Sequence, residues 1–350
     1  MDILEAPFTY FGGKRDIAPI IWNYLGDVKY YVEPFYGSGA VLLNRPEFDY
    51  KKHIEIVSDI DGNICNTWRA LQFAPDEVAK YCDYPVNHID LETRKIQIGK
   101  EYETLIKNLV SDDTYCNPKL AGFYIYIMSI SISPTIEKKY FQSNYIPESD
   151  ILSKRPSITK NNKVIVNIDE NQLSKKPFIG HSGMGISKTT IRDYTIETDD
   201  PTAPYSILLY KWFRKLAERL RYVKVCFGDW SRVCSGDWQQ ISKYSFGYYC
   251  DPPYSSKLRQ KDLYYKDSMT IAKSVRDWCI KRGKDSNARI VLSGYYDEHK
   301  ELLEHNWSVK RWTTQGGYGN MCKNTNRFEE AIFISPNCIM EGHQDFLFDL

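Results

Sequence analysis

The chain has 350 residues, of which 42% are hydrophobic and 26% charged, and its formal net charge at pH 7 is +1. This length favours one catalytic domain with a sizeable insertion, and the balanced charge excludes a polycation, so any affinity for nucleic acid has to come from local basic patches. Nine scattered cysteines without zinc-ligand spacing indicate reduced thiols, and the lack of a long apolar run or signal peptide predicts a cytoplasmic protein without a membrane span.

The first predicted element is a helix that follows a glycine-rich turn. Its apolar residues recur at helical spacing and are Ile17, Ile20, Ile21, Tyr24 and Leu25. In the turn, Gly12 and Gly13 let the backbone approach a ligand closely, and Lys14 carries the charge to meet an anion such as a carboxylate. A plain capped turn with a solvated lysine is the alternative.

A strand, Tyr30 to Glu33, comes next and leads through a turn from Pro34 to Gly39 into a helix. Strand, glycine turn and helix together form the frame of a nucleotide-binding crevice. The turn does not have the sequence of a phosphate loop, and Glu33 at the strand tip would repel a phosphate. The pattern therefore indicates a cationic ligand.

The following strand, His53 to Ser58, ends in Asp59. An acid at the tip of the second strand is where nucleoside-binding α/β folds hold a ribose diol. The alternative is that Asp59 or Asp61 serves as the N-cap of the next helix.

From about Pro75 to Pro204 the alternation of strands and helices weakens, although Glu92 to Val110 is predicted as a helix and Ala121 to Ile132 is a long apolar run. The stretch from position 154 to 192 contains eight Lys and Arg residues but only two acids. A basic segment rich in glycine and hydroxyl groups fits contact with DNA phosphates, and a solvated charged face is the alternative. The predicted DNA-binding residues here are Lys154, Arg155, Lys175, Lys176, Lys188 and Arg192.

Regular structure returns at Tyr205 with an amphipathic helix and a strand, Lys224 to Phe227, that ends near Asp229. Asp229 either accepts a hydrogen bond from an adenine amino group or caps the turn. Further on, Lys257 and Arg259 lie in a basic loop and are additional candidates for DNA contact. The remaining predicted elements are a helix that contains Ile271, Val275 and Trp278, a strand Arg289 to Ser293, a helix Glu298 to Leu303, and strands Ser308 to Trp312 and Glu330 to Ser335.

A buried strand, Phe246 to Cys250, stops at the tetrapeptide Asp251-Pro252-Pro253-Tyr254. Proline cannot donate to a strand ladder and disfavours a helical conformation before it, so Asp251 is held extended at the carboxyl end of the strand, where open α/β sheets bind ligands. The Asp251 carboxylate and the Pro252 carbonyl can accept both hydrogens of an exocyclic amino group, while Tyr254 stacks on the ring. A proline-rich turn capped by an aspartate is the alternative.

These segments, in this order, resemble the Dam-like D12 class of DNA adenine-N6 methyltransferases in its α arrangement. The resemblance is carried by Tyr10 to Lys14, Glu33 to Gly39, Ser58 to Asp61, Asp251 to Tyr254 and Arg327 to Ile332. It implies an α/β fold: a Rossmann-like, mostly parallel methyltransferase sheet with helices on both faces, formed by residues 1–75 and 205–350. Residues 76–204 would form an inserted, mainly helical and loop target-recognition domain.

The resemblance also implies an activity and roles for single residues. The enzyme would transfer a methyl group from S-adenosyl-L-methionine to a flipped-out adenine in duplex DNA at a specific site, without a metal. The residues that would bind the cofactor are Tyr10, Gly12, Gly13, Lys14, Glu33, Pro34, Phe35, Gly37, Gly39, Asp59, Ile60, Asp229 and Asp251, with Tyr10 and Lys14 at its methionine end, Asp59 at its ribose and Asp229 at its adenine. The catalytic residues would be Asp251, Pro252, Pro253 and Tyr254.

The expected partners are double-stranded DNA and a cognate restriction endonuclease on another chain, for a monomer or weak dimer in a prokaryotic or phage-infected cytoplasm. Two alternatives stay open. One is methylation of RNA or of a protein amide, because an Asp-Pro-Pro-Tyr tip suits planar amides in general. The other is a DNA-binding relic without catalytic activity.

Overall fold

The computed structural model describes residues 4–8, 10, 13–84, 88–130, 136, 138–141, 156–158, 164–166, 205–240, 243–254, 270–311 and 330–339. Its strands are β1 (Tyr30–Glu33), β2 (Ile54–Asp59), β3 (Pro156–Ile158), β4 (Val164–Val166), β5 (Lys224–Phe227), β6 (Phe246–Cys250), β7 (Ala288–Tyr295), β8 (Ser308–Arg311) and β9 (Glu330–Ile334). Its α-helices are α1 (Ala18–Leu25), α2 (Ala40–Leu43), α3 (Gly62–Phe73), α4 (Pro75–Cys82), α5 (His88–Ser111), α6 (Pro118–Ile130), α7 (Tyr205–Leu220), α8 (Ile271–Arg282) and α9 (Tyr296–His299). None of these helices combines the length and the hydropathy that crossing a bilayer requires.

Seven of these strands form one mixed sheet in the order β5-β2-β1-β6-β7-β9-β8. The strands from β5 to β7 pair in parallel, and β9 runs antiparallel to both β7 and β8. All five residues of β6 are buried, as expected for a parallel strand covered on both faces. This arrangement confirms the predicted α/β fold with a mostly parallel, Rossmann-like sheet.

The strand order reverses between β1 and β6. From β1 the chain moves outward to β2 and β5, and it then returns to the other side of β1 as β6. Open parallel sheets bind ligands outside the carboxyl ends of the strands at such a switch point. Four acids follow from this topology at one edge, because Glu33 and Asp59 end β1 and β2, while Asp229 and Asp251 come just after β5 and β6.

The described part of the segment from residue 75 contains a 3₁₀ helix, Lys138–Phe141, the paired strands β3 and β4, and the three α-helices α4 to α6. These three α-helices share one hydrophobic core with α1, α3 and α7. Phe8 joins this core from the amino-terminal arm, where its ring centroid lies 5.8 Å from that of Trp68 and 5.5 Å from that of Tyr124. The division of the chain at residues 76 and 204, and a role of this block in target recognition, stay predictions.

The two ends of that segment are tied together beside the sheet. Arg214 on α7 forms a bidentate ion pair with Asp76 on α4, with nitrogen to oxygen distances of 2.7 and 2.8 Å. The side-chain amide of Gln72 on α3 also donates to the carbonyl groups of Leu220 and Val223 at the end of α7. Helices α3, α4 and α7 thus form a stem from which the segment leaves and to which it returns.

Candidate active site

A cavity of about 860 Å³, counted with its open mouth, lies at the carboxyl ends of β1, β2, β5 and β6. Most residues that the sequence assigns to the cofactor line it, namely Tyr10, Gly13, Lys14, Glu33, Pro34, Phe35, Gly37, Asp59, Ile60, Asp229 and Asp251, and Pro253 of the tetrapeptide joins them. Gly39, Pro252 and Tyr254 are close neighbours in the chain but are not among the lining residues. Gly12 lies outside the described residues.

The glycine turn after β1 has a conformation that other residues rarely adopt. Gly37 and Gly39 have φ angles of +48° and +67°, in the left-handed region. A Cβ atom on Gly37 would lie 3.0 Å from the ring of Tyr10, and one on Gly39 would lie 2.8 Å from the ring of Tyr36. Both glycines are therefore required by backbone conformation and by the aromatic rings that pack against the turn.

Asp59 connects the ends of two strands. One of its carboxylate oxygens accepts a hydrogen bond from the backbone N–H of Gly37 at 3.0 Å, and the other accepts from the N–H of Asp61 at 2.9 Å. Burial raises its pKa to about 6, although these two N–H groups oppose the shift. The carboxylate thus fixes the glycine turn, and it retains lone pairs that a hydroxyl group in the cavity could share.

Asp61, and not Asp59, is the N-cap of α3. Its side chain accepts from the backbone N–H of Asn63 at 2.9 Å. Burial, and next the neighbouring charge of Asp59, raise its pKa to about 7. The capping alternative therefore holds for Asp61, which also lines the cavity.

Glu33 is the most enclosed acid of the site, with 2% of its surface exposed. It accepts a hydrogen bond from the hydroxyl group of Tyr31 at 2.8 Å. Its pKa lies well above the usual value, chiefly because of burial and to a lesser degree because of the charge of Asp251. Among the described residues that line the cavity, five acids (Glu33, Asp59, Asp61, Asp229 and Asp251) face the single ammonium group of Lys14.

Asp251 is held by one partner from the amino-terminal turn and by a second partner three residues further along the chain. The ammonium group of Lys14 lies 2.9 Å from its Oδ2 atom, and the hydroxyl group of Tyr254 donates to its Oδ1 atom at 3.2 Å. The Tyr254 ring meets the Tyr295 ring edge to face, with centroids 4.8 Å apart. Lys14, which the resemblance assigns to the cofactor, therefore contacts the predicted catalytic acid.

Asp229 caps the short 3₁₀ turn after β5 and lines the cavity as well. Its carboxylate accepts from the backbone N–H and the hydroxyl group of Ser231, at 3.0 and 2.6 Å. The capping alternative and the cavity position thus hold together, and the contact with an adenine stays a prediction.

Sequence reasoning missed several residues of the cavity wall. Trp230, Tyr249 and Ile271 line the cavity, and the rings of Trp230 and Phe35 lie nearly parallel, with a 27° angle and centroids 6.4 Å apart. The position of Trp230 directly after Asp229 at the tip of β5 was the available signal. Such aromatic pairs provide a flat apolar surface suited to a heterocyclic ring.

The predicted DNA-binding residues Lys154, Arg155, Lys175, Lys176, Lys188, Arg192, Lys257 and Arg259 lie outside the described residues. In the part of the chain that is described, no group of three or more His, Cys, Asp or Glu side chains is placed to hold a metal ion.

Comparison with known families finds one match. Residues 10–103 match the D12 class N6 adenine-specific DNA methyltransferase family. The matched stretch contains Lys14, the glycine turn and Asp59, whereas Asp251 lies beyond it. The match confirms the resemblance inferred from the motifs and supports N6 methylation of adenine in DNA as the activity. No curated protein matches the chain.

Proposed function

We propose that this protein transfers a methyl group from S-adenosylmethionine to the N6 atom of an adenine flipped out of duplex DNA. The observation that supports this most strongly is the convergence of Lys14, Glu33, Asp59 and Asp251 on one cavity. These residues are separated by up to 237 positions in the chain, yet they meet at the switch point of the sheet.

The cavity fits the chemical groups of that cofactor. Its excess of acids favours a ligand with a sulfonium and an ammonium group over one with phosphates. Asp59 retains acceptor capacity for a ribose diol, and the Phe35 and Trp230 rings suit the faces of an adenine. When bound, S-adenosylmethionine supplies a methyl group on a positively charged sulfur that leaves as a neutral thioether.

The protein's own residues then orient the acceptor. The lone pair of an adenine amino group is delocalised into the ring, so the amino nitrogen is a weak nucleophile. Hydrogen bonds from its two N–H groups to the Asp251 carboxylate and the Pro252 carbonyl favour a pyramidal nitrogen, and the Tyr254 ring supports the base. The carboxylate also stabilises positive charge as it develops on that nitrogen, and Oδ2 or Oδ1 of Asp251 is the nearest base for the released proton.

Most of the rate acceleration comes from alignment. Holding two reactants in line can be worth about 7–11 kcal/mol, without removal of a proton beforehand. Enzymes that modify a base reach its reacting atom by extruding it from the duplex. The basic segments at 154–192 and 257–259 would hold the DNA backbone, and their removal would flatten the salt dependence of DNA affinity.

The test uses tritiated methyl groups on S-adenosylmethionine and a mixture of duplex DNA, RNA and protein extract. The expected product is N6-methyladenine in the DNA, and Asp251→Asn should reduce its formation by about 1000-fold. Asp277→Asn, which changes an exposed acid on α8, is the matched control. Label in RNA or in a protein amide would contradict the proposal, as would binding of cofactor and DNA without any turnover.

A further inference from the structure

Asp251, which is proposed to accept a hydrogen bond from the target amino group, already has hydrogen-bond donors within the protein. Both carboxylate oxygens of Asp251 have a donor from the protein, the Lys14 ammonium group at 2.9 Å and the Tyr254 hydroxyl group at 3.2 Å. Only 6% of the Lys14 side chain and 20% of the Asp251 side chain are exposed, so the ion pair is largely shielded from solvent.

The ammonium group also lies near the ring that is proposed to support the base. The Nζ atom of Lys14 is 5.5 Å from the centroid of the Tyr254 ring. It therefore lies close to both the acid and the aromatic ring that are proposed to hold an extruded adenine. The lysine is anchored on the amino-terminal turn, next to Gly13 on the cavity wall.

We propose that Lys14 is a positioning residue that takes the place of the target amino group in the resting site, and that the carboxylate of the cofactor draws it away from Asp251. This inference rests on the proposed function and specifies how its two ligands are coupled. A lysine side chain is long and carries one mobile charge, so it can exchange one carboxylate partner for another. Cofactor binding then prepares the acid for the base, and by linkage the base favours retention of the cofactor.

The surrounding charges give this exchange a chemical purpose. Glu330, at the start of β9, lies within range of both charges: the pKa of its carboxyl group is raised, mainly by burial, while Lys14 opposes the shift and Asp251 adds to it. Burial also raises the pKa of Glu33, and the charge of Asp251 adds to that shift. Once Lys14 turns to the cofactor, the Asp251 carboxylate meets the amino group without a competing cation, which favours the positive charge that develops there.

The experiment measures cofactor affinity by calorimetry for the wild type, Lys14→Met, Asp251→Asn and the double variant. The ligands are S-adenosylhomocysteine, which has the carboxylate but no sulfonium, and 5′-methylthioadenosine, which has neither. The quantity compared is the factor by which Asp251→Asn changes the affinity for S-adenosylhomocysteine, measured once with Lys14 and once in the Lys14→Met background. If Asp251 competes for Lys14, this factor should be about three- to tenfold more favourable with Lys14 present. For 5′-methylthioadenosine, the effect of Asp251→Asn should be equal in the two backgrounds.

Other results would overturn the inference. If Asp251→Asn has the same effect on affinity in both backgrounds, or a less favourable effect in the presence of Lys14, the ammonium group bridges both carboxylates or never leaves Asp251. If neither nucleoside binds the wild type, the proposed function fails and the inference fails with it, so the two failures are distinguishable. Asp251→Asn preserves the shape of the side chain, and melting temperatures of the four proteins establish that each is folded.

Discussion

Two acids on the same strand, four residues apart, have opposite surroundings. Glu55 near the start of β2 is 1% exposed and is enclosed by two arginines. Arg219 contacts both of its carboxylate oxygens, at 2.6 and 2.9 Å, and Arg45 contacts one of them at 3.3 Å. The carboxylate of Asp59, at the end of the same strand, accepts hydrogen bonds from the backbone N–H groups of Gly37 and Asp61 and from no arginine in the described part of the chain.

The comparison distinguishes an acid that stabilises the fold from acids that are available to bind a ligand. The charge of Glu55 is compensated within the protein by Arg45 and Arg219, and these arginines also donate to the carbonyl groups of Val28 and Leu42. At the carboxyl edge, burial raises the pKa of Asp59 and of Asp61, whose carboxylates accept hydrogen bonds from backbone N–H groups. Substitutions in the first group should act on stability, and substitutions in the second on ligand affinity.

The largest effect is expected from Glu55→Gln. It leaves two buried arginines without their carboxylate, so the free energy of unfolding should fall by about 3–5 kcal/mol in urea titrations. Asp76→Asn breaks an exposed pair with Arg214 and should cost at most about 1 kcal/mol. Equal losses in the two variants would contradict the distinction between the buried cluster and surface pairs.

Asp59→Asn should have the reverse effect, with a large loss of ligand affinity and a small change in stability. Loss of a charged acceptor should weaken S-adenosylmethionine binding by about 10- to 100-fold in calorimetry, because hydrogen bonds to charged groups are worth about 1.5–3 kcal/mol. The free energy of unfolding should change by less than about 1 kcal/mol, since a lost acceptor and a relieved buried charge oppose each other. A variant that unfolds readily but binds normally would reverse the assignment of Asp59.

The pH dependence should separate binding from stability. Protonation of Asp61 near pH 7 and of Asp59 near pH 6 removes negative charge from the cavity, so affinity for the cationic cofactor should fall about tenfold from pH 7.5 to 5.5. The folded pKa values lie above the unfolded value of about 3.9, so the folded state binds more protons between about pH 4 and 7, and this contribution to stability decreases as pH rises. Affinity that is independent of pH in calorimetric titrations would contradict a role for these two carboxylates.

The smallest effect is expected from Trp230→Leu. Loss of its ring next to Phe35 should weaken cofactor binding about two- to tenfold, as aromatic contacts are worth about 0.5–1.5 kcal/mol beyond the area they bury. It should weaken binding of 5′-methylthioadenosine to the same degree, because the proposed contact is with the adenine ring, which this nucleoside retains. Trp238→Leu, beside Phe246 at the other end of β6, serves as the control and should leave affinity unchanged.

The strands of the main sheet could be predicted from the sequence because each is a short apolar run with a turn signal at its end. Helix α4 was missed because Pro75 suggested a break, whereas proline is tolerated at the first position of a helix, which it occupies here. The predicted helix from Glu298 to Leu303 is instead a short α-helix, Tyr296–His299, followed by a 3₁₀ helix, Lys300–His305.

The site was predictable to the extent that strand tips converge in a parallel sheet. That rule indicates that Asp59 and Asp251 share an edge, but it does not indicate which side chains touch. The contact of Lys14 with Asp251 depends on how a turn from the amino terminus folds over the sheet, and local sequence patterns contain no information about a pairing across 237 positions. The choice between Asp59 and Asp61 as helix cap likewise depends on a two-residue difference in where α3 begins.

The stem of helices α3, α4 and α7, joined through Gln72, Asp76 and Arg214, has a consequence for how this fold accepts insertions. Because the chain leaves and rejoins the sheet at neighbouring points, an insertion outside the core shared by α1 and α3 to α7 costs chiefly the entropy of closing a longer loop. That cost grows logarithmically, by about 0.6 kcal/mol for each doubling of length. Insertions of very different size could therefore be accepted between these anchor points over evolutionary time, while the cavity at the carboxyl ends of the strands keeps its geometry.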